Sequence, residues 1–440
     1  MKILVLSNLY PPDFIGGYEL VCRQVTAGLR GHGHEVRVLT SSPRCPVPSE
    51  SYVQRQFELS SMYEPWLHKA DLRQRYMCAV ESTFVNAHNV HHLLTTLETF
   101  QPEIVYLFNL LGLGGLGLLA CLHHLRIPWV WHLEDMIPRL LCSLPGNDGL
   151  DFVSVRTRPV PALIREFNRQ IRGRYLACSR RVVEEIEDCG LRIRGQVELL
   201  PNWVQGAAPP PRQNYFKGGH LRIVNAGQMC LEKGIDILIA AAARLCKSGR
   251  NNFSIDLYGQ VGGPLWQATI DKNRVTNNVT LKGRLPQAEL AQRLGQYDVF
   301  AFPTYKREPF GCAPLEAAAW GCVPLLPENC GISEWLVHGV HCLKTERTAE
   351  SFAQVLADIL DGNIDLEPLG RRVAAVVQRD FHLDALLPRI EQTLANAARQ
   401  LRRGAGTAAE AYQLALLGEK LQQVLVHESL SSAKIVPDAA

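Results

Sequence analysis

Short apolar runs alternate with amphipathic stretches along most of the chain, the rhythm of strands buried on both faces between helices. The run Lys2–Ser7 predicts a first strand, a helical pattern over Tyr18–Arg30 stops at Gly31, and Glu35–Thr40 predicts a second strand, completing a strand–helix–strand unit. Residues 43–100 read as irregular at first and then helical, an insertion able to shape an acceptor site. Ile104–Phe108, Trp129–His132, Tyr175–Cys178 and Val197–Leu200 read as further strands. Gly206, Pro209, Pro210, Pro211, Gly218 and Gly219 then mark a linker. Beyond it Arg222–Ala226, Ser254–Tyr258, Val279–Lys282, Val299–Phe302 and Val323–Leu326 predict strands, with a helix near Ile235–Lys247 and another opening at Gln287 and Glu289.

Helical spacing of Leu387, Ile390, Leu394 and Ala398 predicts an amphipathic helix near Leu383–Arg402. Ala411, Leu414, Ala415, Leu417, Leu421, Val424 and Leu425 predict one more over 408–426, either packed on the body of the protein or held against a second chain. Ser429–Ala440 reads as disordered. Strand–helix alternation on both sides of a linker predicts an α/β chain of two doubly wound parallel-sheet domains facing a cleft. The expected division is 1–204 for the first domain, 205–219 for the linker, 220–382 for the second domain, 383–402 for a helix, and 403–440 for an extra helix and tail.

Composition narrows the classes. A chain of 440 residues exceeds one ordinary core. Hydrophobic content of 47% and charged content of 20% suit a soluble globular protein, and a net charge of +3 gives no electrostatic case for a nucleic-acid partner. Thirteen cysteines without a C-x2-C pair suit a reducing cytoplasm rather than a disulfide scaffold. The N-terminus reads as a strand and not a signal peptide, and no run approaches the roughly 18 apolar residues of a membrane span. The expectation is a cytoplasmic protein whose membrane contact, if any, is peripheral at the inner face. The segment from Arg156 to Arg181 holds eight arginines and one acid, Glu166. It is either a solvated helix face or a contact for anionic lipid or an anionic acceptor.

Candidate chemistry concentrates in Glu308-Pro309-Phe310-Gly311-Cys312-Ala313-Pro314-Leu315-Glu316, two glutamates with seven residues between them. The stretch follows the apolar run Val299–Pro303 and opens a short helix with Pro314 near its start and Gly321 as its stop. Glu308 is thereby expected in the loop after a strand, and Glu316 in the first helical turn. In a parallel sheet, ligands bind at the carboxyl ends of strands. Glu316 can accept hydrogen bonds from two neighbouring hydroxyls, as on a ribose, and Glu308 can face a second polyol. The backbone N–H groups of Phe310, Gly311 and Cys312 lie between them near a helix N-terminus, which favours an anion. Hydroxyls at both ends and negative charge between describe a nucleotide-diphosphate sugar. The plainer alternative has Glu316 complementing the helix dipole and Glu308 solvated.

This stretch resembles the E-x7-E signature of retaining glycosyltransferases of family 4, which have the GT-B fold of two Rossmann-like domains. Tyr10-Pro11-Pro12 followed by Gly16-Gly17 resembles that family's N-terminal loop, and Gly31-His32-Gly33-His34-Glu35-Val36 its turn into the second strand. Pro201-Asn202, the Gly227–Gly234 segment (its G-R-x4-K-G phosphate loop) and Gly331-Ile332-Ser333-Glu334 complete the likeness in order along about 345 residues. One position departs: where the family usually places arginine, five residues before Lys233, this chain has Gln228. A neutral amide cannot replace a guanidinium.

The resemblance implies retaining transfer of a sugar from a nucleotide-diphosphate sugar, a co-substrate and not a cofactor, to a hydroxyl acceptor, carbohydrate or lipid-linked, in polysaccharide or glycolipid assembly. The last helix would pack back onto the first domain. His132, Lys233 and Glu308 would be catalytic, His132 touching the donor sugar and Lys233 the diphosphate. Gly16, Gly17, Gln228, Lys233, Arg284, Glu308, Phe310, Gly311, Cys312, Leu315 and Glu316 would line the donor. Same-fold alternatives are a sugar-phosphate-using synthase or phosphorylase, and a non-catalytic sugar-binding relative.

Two other patterns compete. Gly112-Leu113-Gly114-Gly115-Leu116-Gly117 contains G-x-G-x-x-G, with Glu134 and Asp135 about 20 residues on, and fits a dinucleotide fingerprint. It comes late in the domain, however, so close helix–strand packing is the better reading. His88, His91 and His92 lack the accompanying spacing of a metal site and read as a helix face. With no D-x-D sequence either, no metal is expected.

Overall fold

The computed structural model describes residues 1–42, 50–60, 72–136, 173–188, 193, 196–204, 206, 209–260, 264–305, 308–399 and 405–432. The chain divides into two compact units: Met1–Ala177, Val183–Glu198 and Leu387–Ala440 form the first, and Cys178–Val182 with Leu199–Leu386 the second. Residues 199–204, expected with the first domain, group with the second.

The first unit carries β1 (Lys2–Leu6), α1 (Gly17–Gly31), β2 (Glu35–Ser41), β3 (Val53–Phe57), α2 (Leu72–Thr83), α3 (Ala87–Phe100), β4 (Ile104–Leu107), α4 (Gly115–His124), β5 (Trp129–Leu133) and β6 (Arg174–Ala177). Helix α5 (Arg180–Glu187) and strand β7 (Val197–Leu199) follow at the partition. The sheet runs β3-β2-β1-β4-β5-β6-β7, with β1 paired in parallel to both β2 and β4. Ile3, Leu4, Val5 and Leu6 are all fully buried, which is why β1 reads as an unbroken apolar run and not as an alternating one. Strand β3 falls inside the insertion expected to be irregular. Its Val-Gln-Arg-Gln-Phe sequence carries little apolar signal because β3 is an edge strand paired to β2 alone.

The second unit carries β8 (Leu221–Ala226), α6 (Ile235–Lys247), β9 (Phe253–Tyr258), α7 (Leu265–Lys272), β10 (Val279–Gly283), α8 (Gln287–Leu294), β11 (Val299–Ala301), α9 (Cys312–Ala319), β12 (Val323–Pro327), β13 (Leu343–Thr345), α10 (Ala349–Leu360) and α11 (Leu366–Asp380). Its sheet runs β10-β9-β8-β11-β12-β13, and every neighbouring pair is parallel. Ile223, Leu238, Phe253, Ile255, Val323 and Phe352 sit at the centre of one buried cluster. The order turns round between β8 and β11, so the loops leaving their carboxyl ends flank a switch point, where open α/β sheets hold ligands. Part of the expected linker is anchored to this unit. Arg212 donates to Asp298 at 2.5 Å, and the Tyr215 ring lies so close to Gly370 that a Cβ there would come within 2.2 Å of it.

Helix α12 (Leu383–Ala398) passes into the first unit at Leu387, and α13 (Ala408–Ser432) packs there on α2, α3 and α4. Helix α13 extends four residues into the tail expected to be disordered. Its apolar positions divide by size. Ala411 and Ala415 are buried, while Leu414, Leu417, Leu421 and Val424 are exposed. The inner face docks through polar atoms: Glu419 accepts the Ala87 N–H at 2.6 Å, and Gln422 accepts the Val85 N–H at 3.2 Å. No helix among the described residues is long and apolar enough to cross a membrane.

Candidate functional site

Lys233 comes from the loop after β8 and Glu308 from the loop after β11, one from each side of the switch point in the second unit. The Lys233 ammonium bonds Glu308 Oε2, and the same carboxylate oxygen accepts from Thr304 Oγ1 at 2.8 Å. The Glu308 side chain is only 8% exposed and that of Lys233 22%, so most of the water that would separate the pair is excluded. The ammonium also lies 5.6 Å from the centre of the Phe302 ring. Lys233 was expected to meet phosphate and Glu308 a sugar; in the structure they bond each other.

Backbone geometry fixes this pairing. Gly234, with φ +73°, begins α6 where a Cβ would fall 2.2 Å from the Pro303 carbonyl oxygen, so the β8 loop abuts the β11 loop directly. The Tyr305 N–H donates to the Glu232 carbonyl at 2.8 Å. The turn Gly331–Glu334 closes over the other side: the Gly331 N–H donates to Glu308 O at 3.1 Å and the Ile332 N–H to Phe310 O at 2.8 Å. Gly311 caps α9 at φ +98°, where a side chain would strike Phe302. Phe310 and Leu315 are buried, and the Cys312 sulfur accepts from the Asn202 amide at 3.4 Å.

Glu316 is the fifth residue of α9, in the second turn and not the first, so it does not complement the helix dipole. Gln287, at the start of α8, donates to its Oε1 at 2.9 Å. Burial pushes the Glu316 carboxyl above the usual range, and the Gln287 amide pulls it back in part. Gln228 and Arg284 are both exposed, in the loops after β8 and β10.

Other expected site residues lie in the first unit. Gly16 caps α1, but its N–H is taken by Glu19 Oε2 at 2.9 Å, so a carboxylate stands where a phosphate was expected; Gly17 is the exposed first residue of α1. His132 is 0% exposed. Its Nδ1 bonds the Tyr106 hydroxyl at 2.6 Å, its Nε2 lies 2.9 Å from Glu134 Oε1, and its carbonyl accepts from Tyr18. His132, expected to touch the donor sugar, is thus enclosed among Tyr106, Tyr18 and Glu134. Asn86, Ser82 and Phe84 account for the glycine-rich loop. A Cβ at Gly114 would lie 2.4 Å from Asn86 N, while the Gly112 and Gly117 N–H groups donate to Ser82 O at 3.0 Å and Phe84 O at 2.7 Å. These amides pack the chain and are engaged away from any diphosphate. A cavity of about 440 Å³ opens in the same unit beside the insertion, lined in part by Glu58, Glu81, His88, Tyr412 and Glu419. Among the described residues no group of three or more His, Cys, Asp or Glu is placed to hold a metal ion. Most of the arginine-rich segment Arg156–Arg181, residues 156–172, lies outside the described residues.

Sequence reasoning missed Thr304 and Gln287 as the partners of Glu308 and Glu316, and read Glu134 only as the acid of a dinucleotide fingerprint, whereas its carboxylate lies beside His132. Thr304 follows directly on an apolar run, and Gln287 was noted only as a helix start. Neither position has a local pattern that announces a partner elsewhere in the chain.

Two parallel-sheet, Rossmann-like units define the molecule as an α/β protein of GT-B architecture. The model for glycosyl transferases group 1 matches residues 211–374, and that for the glycosyl transferase 4-like domain matches residues 16–203. The chain belongs to the group 1 glycosyltransferases. It is 25% identical over 398 residues to a glycogen synthase of Mycobacterium tuberculosis, covering 86% of this chain and 90% of that one. Among solved structures, a sucrose-phosphate synthase from Thermosynechococcus elongatus is 16% identical with a TM-score of 0.65, covering 90% of this chain and 98% of that one. Anabaena HepE in complex with UDP and glucose is 16% identical with a TM-score of 0.59, covering 90% and 100%.

Proposed function

We propose that this glycosyltransferase moves a sugar from a nucleotide-diphosphate sugar to a hydroxyl of a carbohydrate or lipid-linked acceptor, with retention at the anomeric carbon and without a metal. The observation that carries this reading is the convergence of Lys233, Glu308 and the α9 N-terminus at the switch point between β8 and β11. The HepE complex with UDP and glucose, on a similar fold, supports a nucleotide sugar as donor. In this reading Glu316 holds the ribose, α9 N–H groups and Lys233 hold the diphosphate, and Glu308 shares Lys233 with the donor. The bond between the anomeric carbon and the diphosphate oxygen breaks, and the acceptor oxygen bonds on the same face. The acceptor proton passes to the departing diphosphate, whose growing charge Lys233 stabilises.

Titration calorimetry of Glu316→Ala with UDP, GDP and ADP tests the donor assignment. The variant is expected to lose at least tenfold in affinity for the nucleotide that wild type prefers while melting at an unchanged temperature or higher. Equal affinity in both proteins removes Glu316 from the site. A sugar-binding relative without turnover is the reading that Gln228 favours. It predicts nucleotide binding with neither transfer nor donor hydrolysis for any nucleotide sugar.

A further inference from the structure

Arg347 stands two residues past β13 and directly before Thr348, the N-cap of α10, so it comes from a third carboxyl-end loop of the second sheet. Its guanidinium leaves that loop and reaches the other two. Nε donates to Pro303 O at 2.9 Å, at the start of the Glu308 loop; Nη2 donates to Leu231 O at 2.7 Å and Glu232 O at 3.2 Å, in the loop that ends at Lys233. The chain thus joins three segments, 231–232, 303 and 347, through one planar group. We propose that Arg347 is the positioning residue of the Lys233–Glu308 pair, a guanidinium staple that sets the β8 loop against the β11 loop so that the Lys233 ammonium is presented to a donor diphosphate.

Three observations lead to this role. First, the bonds within the β8 loop and to Tyr258 and Trp266 do not reach the β11 loop; among the described residues the backbone bond between the two loops is Tyr305 N–H to Glu232 O, and it lies beside the carbonyls that Arg347 binds. Second, carbonyl oxygens on separate loops need a rigid donor with several N–H groups in one plane. A lysine supplies a point charge on a flexible stem and cannot hold both loops in the same way. Third, the loop carries Gln228 where a family arginine is usual, and its lysine is already paired with Glu308. Arg347 is the cation fixed against this loop by hydrogen bonds. The neighbouring Glu232 carboxyl is held below the usual range first by its own backbone N–H and by Cys230, with smaller contributions from the Arg347 and Lys233 charges.

The proposal rests on the donor reading given above, and the test separates the two. The variants are Arg347→Met, Arg347→Lys, Lys233→Ala and the double variant Lys233→Ala/Arg347→Met. In the ligand-free proteins, hydrogen exchange is followed in peptides containing Tyr305. In parallel, calorimetry compares whichever of UDP, GDP and ADP wild type prefers with the matching monophosphate. Both Arg347 variants are expected to raise exchange at Tyr305 about tenfold or more. They are expected to lose about tenfold in diphosphate affinity with less than a twofold change for the monophosphate, a selectivity that general loosening does not give. In the Lys233→Ala background, Arg347→Met is expected to add no further loss, because Arg347 acts through Lys233. Unchanged exchange at Tyr305 overturns the staple, as does an equal loss for both nucleotides or a fully additive double variant. If wild type binds no nucleotide, the donor reading fails, and the exchange comparison still decides whether Arg347 joins the loops.

Discussion

At the scale of single residues, the second unit holds two carboxylates in opposite circumstances. Glu308 is buried and matched by Lys233 and Thr304. Removing the lysine while keeping its bulk, as in Lys233→Met, leaves a nearly buried carboxylate with a hydroxyl for support. The expected loss is about 1–3 kcal/mol in urea denaturation, together with a drop of one to three decades in transfer. A variant with wild-type turnover takes Lys233 out of the chemistry. Glu316 is held by a neutral amide and pushed up by burial. A carboxyl raised in the folded state contributes stability below its unfolded pKa and loses it as pH rises through the folded value. Ionised Glu316 therefore weakens the free protein at neutral pH. Glu316→Gln is expected to melt roughly 2 °C higher at pH 7, with the gain gone near pH 4, where the unfolded carboxyl also protonates. A lower melting temperature at pH 7 contradicts this account.

At the scale of elements, strands buried on both faces announce themselves, and elements with one polar face do not. Lys2–Leu6 and Val299–Ala301 were legible because, apart from the exposed Lys2, every residue in them is apolar and buried. The edge strand Val53–Phe57 was not, since its pairing rests on backbone bonds to one neighbour and its side chains are polar. The E-x7-E pair was legible as a motif, yet its geometry was not. Glu316 lies a turn deeper than expected, and His132 is closed off by Tyr106, distant in sequence, and by Glu134, which the sequence offers for another role. In α13, a list of apolar positions hid the direction of packing. The close approach at Gly418, where a Cβ would lie 3.2 Å from Val85, turns the small residues inward and leaves the leucines outside. The docking is polar as well, because Glu419 satisfies the Ala87 N–H in the first turn of α3. Glu419→Ala is expected to destabilise the protein by about 1 kcal/mol, the usual effect of losing a helix N-terminal partner. Leu417→Gln on the exposed face is expected to stay within about 0.5 kcal/mol of wild type. The reverse ranking in urea denaturation would show that the outer face of α13 is the packed one.

At the scale of the whole molecule, two glycine-rich loops compete for the role of phosphate cradle, one in each unit, and their exposure separates them. The Gly112–Gly117 loop directs N–H groups at Ser82 and Phe84; residues 85 and 86 crowd the Cβ positions of Gly114 and Gly117, and Leu59 that of Gly112. The Gly227–Gly234 loop is also bonded, by Gly227 N–H to Tyr258 O, by Trp266 to Met229 O and by the Tyr305 amide and Arg347 at residues 231–232, but Gly227, Gln228, Leu231 and Glu232 are exposed, whereas residues 112–117 are buried. A nucleotide that stabilises the native state by binding adds about 2.7 kcal/mol at 100 times its Kd, and hydrogen exchange shows where the protection falls. With saturating amounts of the preferred nucleoside diphosphate, amides in residues 227–234 and 308–316 of the second unit are expected to slow by tenfold or more. Amides in residues 112–117 are expected to exchange as in the free protein. NADH is expected to leave both regions unchanged. Protection at 112–117 instead would make the first unit's loop the nucleotide site, and the pairing of Lys233 with Glu308 would then be a structural feature of the second unit alone.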